Sequence, residues 1–265
     1  EDLHDKKAIA LAYSDLSNIF WKQAKYDKGL KYGIKSIVIF EEREIIDLDY
    51  DFTLYVVANN YLKLNRHEEA LKYYEHSLAI GERYGFYNNL SDVYISLVDL
   101  YAYLGQYSKA ESAGINAVKY ATLLDNDFML MRSWLSIGKL QNLQGKYKYA
   151  IESLKTSLYV ATTEFGDEFY LSQVYEALGK AFAGDHDYME AYKAFSKYDG
   201  LKQEIFTAES DQRIALLQTE FEVAQKEDTI LLQQGTIRKQ KSNQMLTSTI
   251  TGLLLFLLIV GFVAI

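Results

Sequence analysis

A pattern of small and aromatic residues recurs five times before residue 200, and it restricts the possible folds more than any other feature of the chain. The copies begin at Ala10, Asp51, Ser91, Met131 and Ser172, so successive copies are 40 or 41 residues apart. The eighth position is mostly small, the eleventh is aromatic in four copies, and the twentieth is glycine or alanine. A fixed period of this length indicates a stack of similar units, each of which buries its apolar side against its neighbour.

The fourth copy shows most clearly what each unit contains. Gly138 lies within a stretch of helical periodicity, where glycine costs about 1 kcal/mol relative to alanine. The close approach of a second helix, near Ala150, would compensate for that cost. Gly145 lies where a turn is expected, because a residue just past a helix end often has a positive φ. In the second copy Asn65 takes this place, and asparagine tolerates the left-handed conformation. Each unit is therefore predicted to be two helices joined by a short turn.

These residues, with the Tyr147-x-x-Ala150 pattern, resemble the tetratricopeptide repeat (TPR) family over about residues 10–200. The resemblance implies an all-α fold, a TPR-type α-solenoid of five helix–turn–helix units. The usual repeat is about 34 residues long, and this chain has no proline, so we expect a longer second helix and a wider turn between units. HEAT-like repeats share the length but lack the glycine and Tyr-x-x-Ala pattern. Gly29 and Gly33 replace the usual alanine and aromatic residue, so the first unit is expected to be looser.

Composition limits the chemistry of the chain. It has no cysteine, which excludes disulfides and thiolate metal sites. Its net charge of −8 is a poor match for nucleic acid, so none is expected as a partner. The four histidines are scattered without metal-ligand spacing, and there is no glycine-rich phosphate loop. We expect no catalytic residue, cofactor or metal in this stretch.

The repeat ends near residue 200, and a different segment follows. Residues 1–9 are expected to be the end of a helix, and residues 201–244 a long helix. Apolar residues in a 3-4-3 spacing, typical of a coiled-coil seam, are Ile214, Leu217, Phe221 and Ala224. This seam covers only about two heptads. It predicts either a homodimer through residues 201–244 or a single helix packed over the fifth unit, and the sequence leaves both open.

Residues 245–265 carry no charge. As a helix they would be about 31 Å long, which matches a hydrocarbon core of about 30 Å. The sequence therefore predicts a transmembrane helix here. Arg238, Lys239 and Lys241 precede it. Taken alone, this basic cluster favours a cytoplasmic solenoid, but long domains translocate largely regardless of charge.

The run at residues 215–241 followed by the uncharged segment resembles the juncture in TPR-bearing sensor histidine kinases of Bacteroidetes-type bacteria. That resemblance implies periplasmic repeats, one span of the inner membrane and a cytoplasmic kinase core after residue 265. No residue of a kinase core is present in the 265 residues. Two alternatives would have the same repeats and uncharged segment. They are a membrane-tethered helix-turn-helix transcription regulator, and a tail-anchored scaffold protein with cytoplasmic repeats.

The remaining candidate site is the concave groove, which the resemblance places along the first helix of each unit. It implies a peptide or protein partner. Asparagine could bind a peptide backbone, lysine and arginine a carboxylate, and aromatic residues an apolar side chain. The predicted contact residues are Asn18, Trp21, Lys22, Tyr55, Asn59, Lys63, Asp99, Tyr103, Arg132, Lys139 and Lys180. Glu176 occupies an equivalent position.

Overall fold

A computed structural model of the chain describes residues 3–165, 167–206, 235–236, 238–241 and 244–245. None of these residues lies in a β-strand. The chain divides into two units, Glu1–Gln203 and Glu204–Ile265. The second unit is described only in short helical pieces, so the fold is that of the first.

The first unit consists of five pairs of helices. In chain order their bounds are α1 Leu3–Lys22, α2 Tyr26–Glu42, α3 Leu48–Lys63, α4 His67–Tyr84, α5 Tyr87–Tyr103, α6 Tyr107–Leu123, α7 Asp127–Leu143, α8 Tyr147–Val160, α9 Glu168–Gly184 and α10 188–206. A π-helical turn, Ala161–Phe165, extends α8. The prediction of an all-α solenoid of five helix–turn–helix units is confirmed.

The odd-numbered helices lie on the inner side of the stack. Within the described residues, each odd-numbered helix from α1 to α7 contacts the next one, whereas α2, α4, α6 and α8 do not contact one another. Helices that meet their equivalents in neighbouring units line the concave face of a curved stack. The first helix of each unit therefore forms the groove, as the resemblance implied.

The turn within each pair has the same backbone geometry in all five units. Its middle residue has a positive φ in every copy, and these residues are Ala24, Asn65, Gly105, Gly145 and His186. The next residue donates its N–H to the carbonyl five residues earlier, as Lys146 does to Gln141 at 2.9 Å. This bond caps the first helix. The positive φ predicted for Gly145 and Asn65 is confirmed, and Ala24 and His186 adopt it without being glycine or asparagine.

The close approach predicted at Gly138 is present, but its partner is Leu154 rather than Ala150. A Cβ added at Gly138 would lie 2.4 Å from Leu154 Cγ. In the first unit, Gly29 and Gly33 are buried, and a Cβ at Gly33 would lie 2.4 Å from Val57 Cγ2. The expectation that this end packs loosely was wrong, because side chains of α3 fill the space that the glycines leave.

In the first, second and fourth units, a serine at the twenty-seventh position of the frame hydrogen-bonds from the second helix to the first residue of the frame. Ser36 donates to the carbonyl of Ala10 at 2.7 Å, and Ser157 donates to that of Met131 at 2.9 Å. In the second unit Ser77 donates instead to the carboxylate of Asp51, which replaces the small or apolar residues of the other copies. This polar contact was not predicted from the sequence, although a serine stands 26 residues after the first frame position in three of the five copies.

The predicted coiled-coil seam and most of the predicted transmembrane helix, residues 246–265, lie outside the described residues. Among the residues that are described, no helix combines the length and the apolar character needed to cross a membrane. Residues 3–9 belong to α1 and so continue into the first unit.

Candidate functional site

The concave face contains a cavity to which all five odd-numbered helices contribute. Its volume is about 290 Å³. We call it the central cavity, and its lining residues are Trp21, Lys63, Ile95, Asp99, Arg132, Leu135, Ser136, Lys139, Phe169, Tyr170 and Gln173. Because these residues come from five separate units, only the curvature of the stack brings them to one place.

A second cavity continues from the first along α7 and α9. Its volume is about 540 Å³, and it shares Asp99 and Lys139 with the central cavity. We call it the lateral cavity, and its other lining residues are Asn142, Leu143, Tyr147, Glu176, Ala177 and Lys180. The two cavities together form a continuous polar and aromatic surface.

Arg132 is held in a fixed position by an ion pair with Asp92. The exposed fractions of the two side chains are only 19% and 18%. The guanidinium also lies over the Phe128 ring, 5.5 Å from its centre. Burial raises the pKa of Asp92, and the positive charge of Arg132 opposes this effect. Arg132 therefore shapes the groove wall, with its charge already compensated.

Asp99 is the carboxylate that both cavities share. It is solvent-exposed, and it makes no ion pair or hydrogen bond with other described residues. Partial desolvation by nearby protein atoms raises its pKa, while the positive charges of Lys139, Lys63 and Arg132 lower it. Asp99 is thus available to a ligand that carries a hydrogen-bond donor.

The lysines of the groove differ in whether they already have an ion pair or a hydrogen bond within the protein. Burial lowers the pKa of Lys139, against the effect of nearby carboxylates, and its Nζ donates to Gln173 Oε1 at 2.6 Å. Lys180 pairs with Glu176 at 2.6 Å. Lys63 has neither an ion pair nor a hydrogen bond with the described residues. It remains the cationic group most accessible to a ligand.

Three buried polar atoms at the cavities lack hydrogen-bond partners within the described structure. Trp21 Nε1 and Ser136 Oγ belong to the central cavity, and Asn142 Oδ1 belongs to the lateral cavity. The amide nitrogen of Asn142 is engaged, because it donates to the carbonyl of Ala177 at 2.8 Å. Leaving such a group unpaired costs about 1–3 kcal/mol, so each marks a position where a ligand could contribute a partner.

The structure brings six of the eleven predicted groove residues together at the two cavities. Five line the central cavity, namely Trp21, Lys63, Asp99, Arg132 and Lys139. Lys180 lines the lateral cavity. Asn18 and Lys22, both on α1, line neither. That these residues bind a partner stays a prediction.

The remaining three predicted residues lie elsewhere. Tyr55 is close to Asp92 and Arg132, and burial raises its pKa to about 12. Tyr103 lies at the end of α5, where its ring stacks on His67 at a centre-to-centre distance of 4.4 Å. Asn59 is only 6% exposed. Tyr55 and Asn59 are thus engaged within the protein, whereas Tyr103 is 71% exposed.

Asn59 is part of a buried hydrogen-bond network. Its Oδ1 accepts from the Tyr74 hydroxyl at 2.6 Å and from Ser96 Oγ at 3.5 Å. The sequence pattern pointed to a contact with a peptide backbone, but this oxygen already has its partners inside the protein. Replacement of Asn59 would therefore act on stability, and it is unsuitable as a test of the groove.

Sequence reasoning missed several residues of the cavities. Asn142 has the same frame position as Trp21, so the repeat itself could have identified it. Ser136 directly follows Leu135, which also lines the central cavity. Phe169 and Tyr170 precede the fifth copy of the frame and enter the groove because α9 begins at Glu168. No signal within the frame points to them.

The tetratricopeptide repeat family model matches residues 8–80 and 49–118, which confirms the prediction of TPR repeats for the first two units and much of the third. No curated protein sequence matches this chain significantly.

Several solved structures share the fold. BtubC (BKLC) from P. vanneervenii has a TM-score of 0.66 at 18% identity, over 77% of this chain and 84% of that one. A Rap protein complexed with competence and sporulation factor has a TM-score of 0.61 at 15% identity, over 78% and 66%. NprR in complex with its cognate peptide NprX has a TM-score of 0.56 at 22% identity, over 70% and 53%. At these identities the similarity concerns the fold alone.

Proposed function

We propose that this chain, whose residues 8–118 are tetratricopeptide repeats, binds a peptide or an extended segment of a protein along its concave face. The observation that carries the proposal is the central cavity, which all five odd-numbered helices line. Two of its buried polar atoms, Trp21 Nε1 and Ser136 Oγ, have no partner among the described residues. A ligand that supplies acceptors there would relieve their desolvation cost.

The shape of the site supports a chain-like ligand. The central and lateral cavities share residues and run across several helices, so a ligand filling both must be elongated. Phe169 and Tyr170 offer apolar surface, and Lys63 and Asp99 offer opposite charges. An extended peptide carries donors and acceptors along its backbone and can present apolar and charged side chains to such a surface.

The fold comparison gives independent support. Rap and NprR share this solenoid fold, and the solved structures hold competence and sporulation factor and the peptide NprX, respectively. A solenoid of this kind is therefore able to hold a peptide. The residues that would do so here are those of this chain's own cavities.

Selection of displayed random peptides on the full 265-residue chain tests the proposal. Peptides that bind in the groove should bind about tenfold more weakly to the double variant Lys63→Ala, Lys180→Ala, which corresponds to a loss of about 1.4 kcal/mol. The matched control is Lys31→Ala, Lys72→Ala, because both lysines are exposed on second helices, away from the two cavities. If no peptide is selected, or if both double variants bind selected peptides as the wild type does, the proposal fails.

A more specific function follows from the C-terminal sequence. We propose that the chain is the sensory and membrane-anchoring part of a two-component sensor histidine kinase in a bacterial inner membrane, with its repeats in the periplasm. The uncharged residues 245–265 and the basic residues before them support the anchor. In this proposal, residues 201–244 pair in a homodimer that has two arrangements. A ligand would shift the equilibrium between these arrangements only by the difference between its affinities for the two.

Two experiments separate this proposal from its alternatives. A reporter that is active only in the cytoplasm, fused before Glu1, should be inactive if the repeats are periplasmic, and activity would rule that topology out. The sequence that follows residue 265 in the gene should encode a kinase core. A helix-turn-helix domain there would favour the membrane-tethered regulator, and a stop codon would favour the tail-anchored scaffold.

A further inference from the structure

The unpaired polar groups of the groove are separated by type. In the central cavity, Trp21 Nε1 is a hydrogen-bond donor, and Ser136 Oγ can donate as well. In the lateral cavity, Asn142 Oδ1 is an acceptor. Ser136 is only 5% exposed. The groove thus has buried donors without partners in the central cavity and a buried acceptor without a partner in the lateral cavity next to it.

The charged groups without an ion pair are divided less strictly, because Asp99 lines both cavities. Three of the four cationic residues lining the cavities already have partners: Arg132 with Asp92, Lys139 with Gln173, and Lys180 with Glu176. Among the described residues, Lys63 has no ion pair, and it belongs to the central cavity alone. Asp99 has none either, and it lies where the central cavity joins the lateral one.

We infer that the groove recognises an acidic and a basic side chain on neighbouring residues of one peptide segment. The acidic side chain enters the central cavity beside Lys63, Trp21 and Ser136. The basic side chain enters the lateral cavity, where Asp99 and the amide oxygen of Asn142 accept its hydrogen bonds. This inference rests on the proposed peptide-binding function and names the class of peptide that the site would select.

The alternative of a purely acidic ligand is less consistent with the site. A second carboxylate in the lateral cavity would face Asp99 and Glu176, and it would leave Asn142 Oδ1 unpaired. A purely basic ligand would leave the two donors of the central cavity unpaired and would place a cation beside Lys63. A pair of opposite charges provides a partner for each group.

The three unpaired atoms are buried in the free protein. A ligand must therefore displace the groups around them as it enters. The indole of Trp21 reports on such a change through its fluorescence. The chain has two tryptophans, and Trp134 does not line either cavity. The variant Trp134→Phe leaves Trp21 as the single tryptophan.

The test uses the full chain and pools of short, N-acetylated and C-amidated peptides. One pool contains adjacent glutamate and lysine in either order, with uncharged residues elsewhere. The comparison pools replace glutamate, lysine or both with glutamine. We expect the doubly charged pool to bind about tenfold more tightly than either singly charged pool. A difference of this size is expected when one hydrogen bond to a charged group is lost. It should also change the fluorescence of Trp21 in the Trp134→Phe protein.

Variants assign each preference to one side of the groove. Ser136→Ala and Trp21→Phe should reduce the preference for glutamate over glutamine and leave the preference for lysine unchanged. Asp99→Asn should do the reverse. Lys63 is exposed and lines the central cavity. Lys63→Gln therefore tests the preference for glutamate even if Ser136→Ala or Trp21→Phe lowers the melting temperature.

Each outcome bears on a distinct claim. Equal binding of all four pools would overturn the inference but leave the proposed peptide binding intact. A singly charged pool that binds as tightly as the doubly charged one would also overturn it. If no pool binds the wild-type chain at all, the proposed function itself is contradicted.

Discussion

Asp51 should make the stability of this protein depend on pH in an unusual direction. Its side chain is fully buried at the contact of α3, α4 and α5. It accepts hydrogen bonds from Ser77 Oγ at 2.5 Å and from Asn89 Nδ2 at 3.1 Å. Burial raises its pKa from 3.8 to about 6, although both hydrogen bonds act to lower it. No cation pairs with it among the described residues.

The sign follows from proton linkage. The folded state binds the proton of Asp51 more tightly than the unfolded state, so stability rises as the pH falls from about 7 towards 4. A shift of about two pKa units corresponds to at most about 3 kcal/mol. Between about pH 7.5 and pH 4.5 the expected gain from this one group is about 2 kcal/mol. Most carboxylates have lowered pKa values when folded and act in the opposite direction.

Urea unfolding of the wild type and of Asp51→Asn, monitored by circular dichroism at both pH values, measures this term. The difference in unfolding free energy between the two proteins should change by about 2 kcal/mol in favour of the wild type at the lower pH. Because all other groups titrate in both proteins, their contribution cancels. Asp15→Asn, at an exposed position of α1, should show no such change. Parallel pH profiles for wild type and Asp51→Asn would refute the reasoning.

Four further predictions concern stability and can be measured by the same unfolding assay. Gly138→Ala should destabilise the protein by about 1–3 kcal/mol, because the added Cβ would overlap a leucine of α8. Gly200→Ala should instead stabilise α10 by up to about 1 kcal/mol, because a Cβ at residue 200 meets open space. Tyr74→Phe should cost about 1–2 kcal/mol, since the buried amide oxygen of Asn59 loses its shorter hydrogen bond. Ala24→Gly should stabilise by up to about 1 kcal/mol, because residue 24 has a φ of 55°. Opposite signs at any of these positions would contradict the packing or backbone argument behind it.

Much of the fold was predictable because particular positions of the repeat require particular types of residue for local reasons. Small residues occur where helices approach closely, and glycine or asparagine occurs where a turn needs a positive φ. These requirements depend on a residue and its near neighbours, so the residues that meet them recur at the same position of each repeat. They placed the turns at Asn65 and Gly145, although Ala24 and His186 show that tertiary packing can impose the same φ on less suitable residues.

The polar side chains were harder to assign. Asn59 and Asp99 occupy the same frame position in the second and third units, yet one is buried in a hydrogen-bond network and the other is exposed in the groove. The difference arises from Tyr74 and Ser96, which come from other helices and supply the partners of Asn59. The frame alone does not contain that information.

The sequence by itself determined the helical repeat and the turns at Asn65 and Gly145, because these follow from periodicity and local backbone preference. The face of each unit that lines the groove was implied by the resemblance to the TPR family. Only the tertiary structure decided which polar groups are engaged and which remain free. Trp21 and Tyr170 lie far apart in the chain but line one cavity because the solenoid curves. Curvature accumulates over many small rotations between packed units, so no single segment of the sequence specifies it.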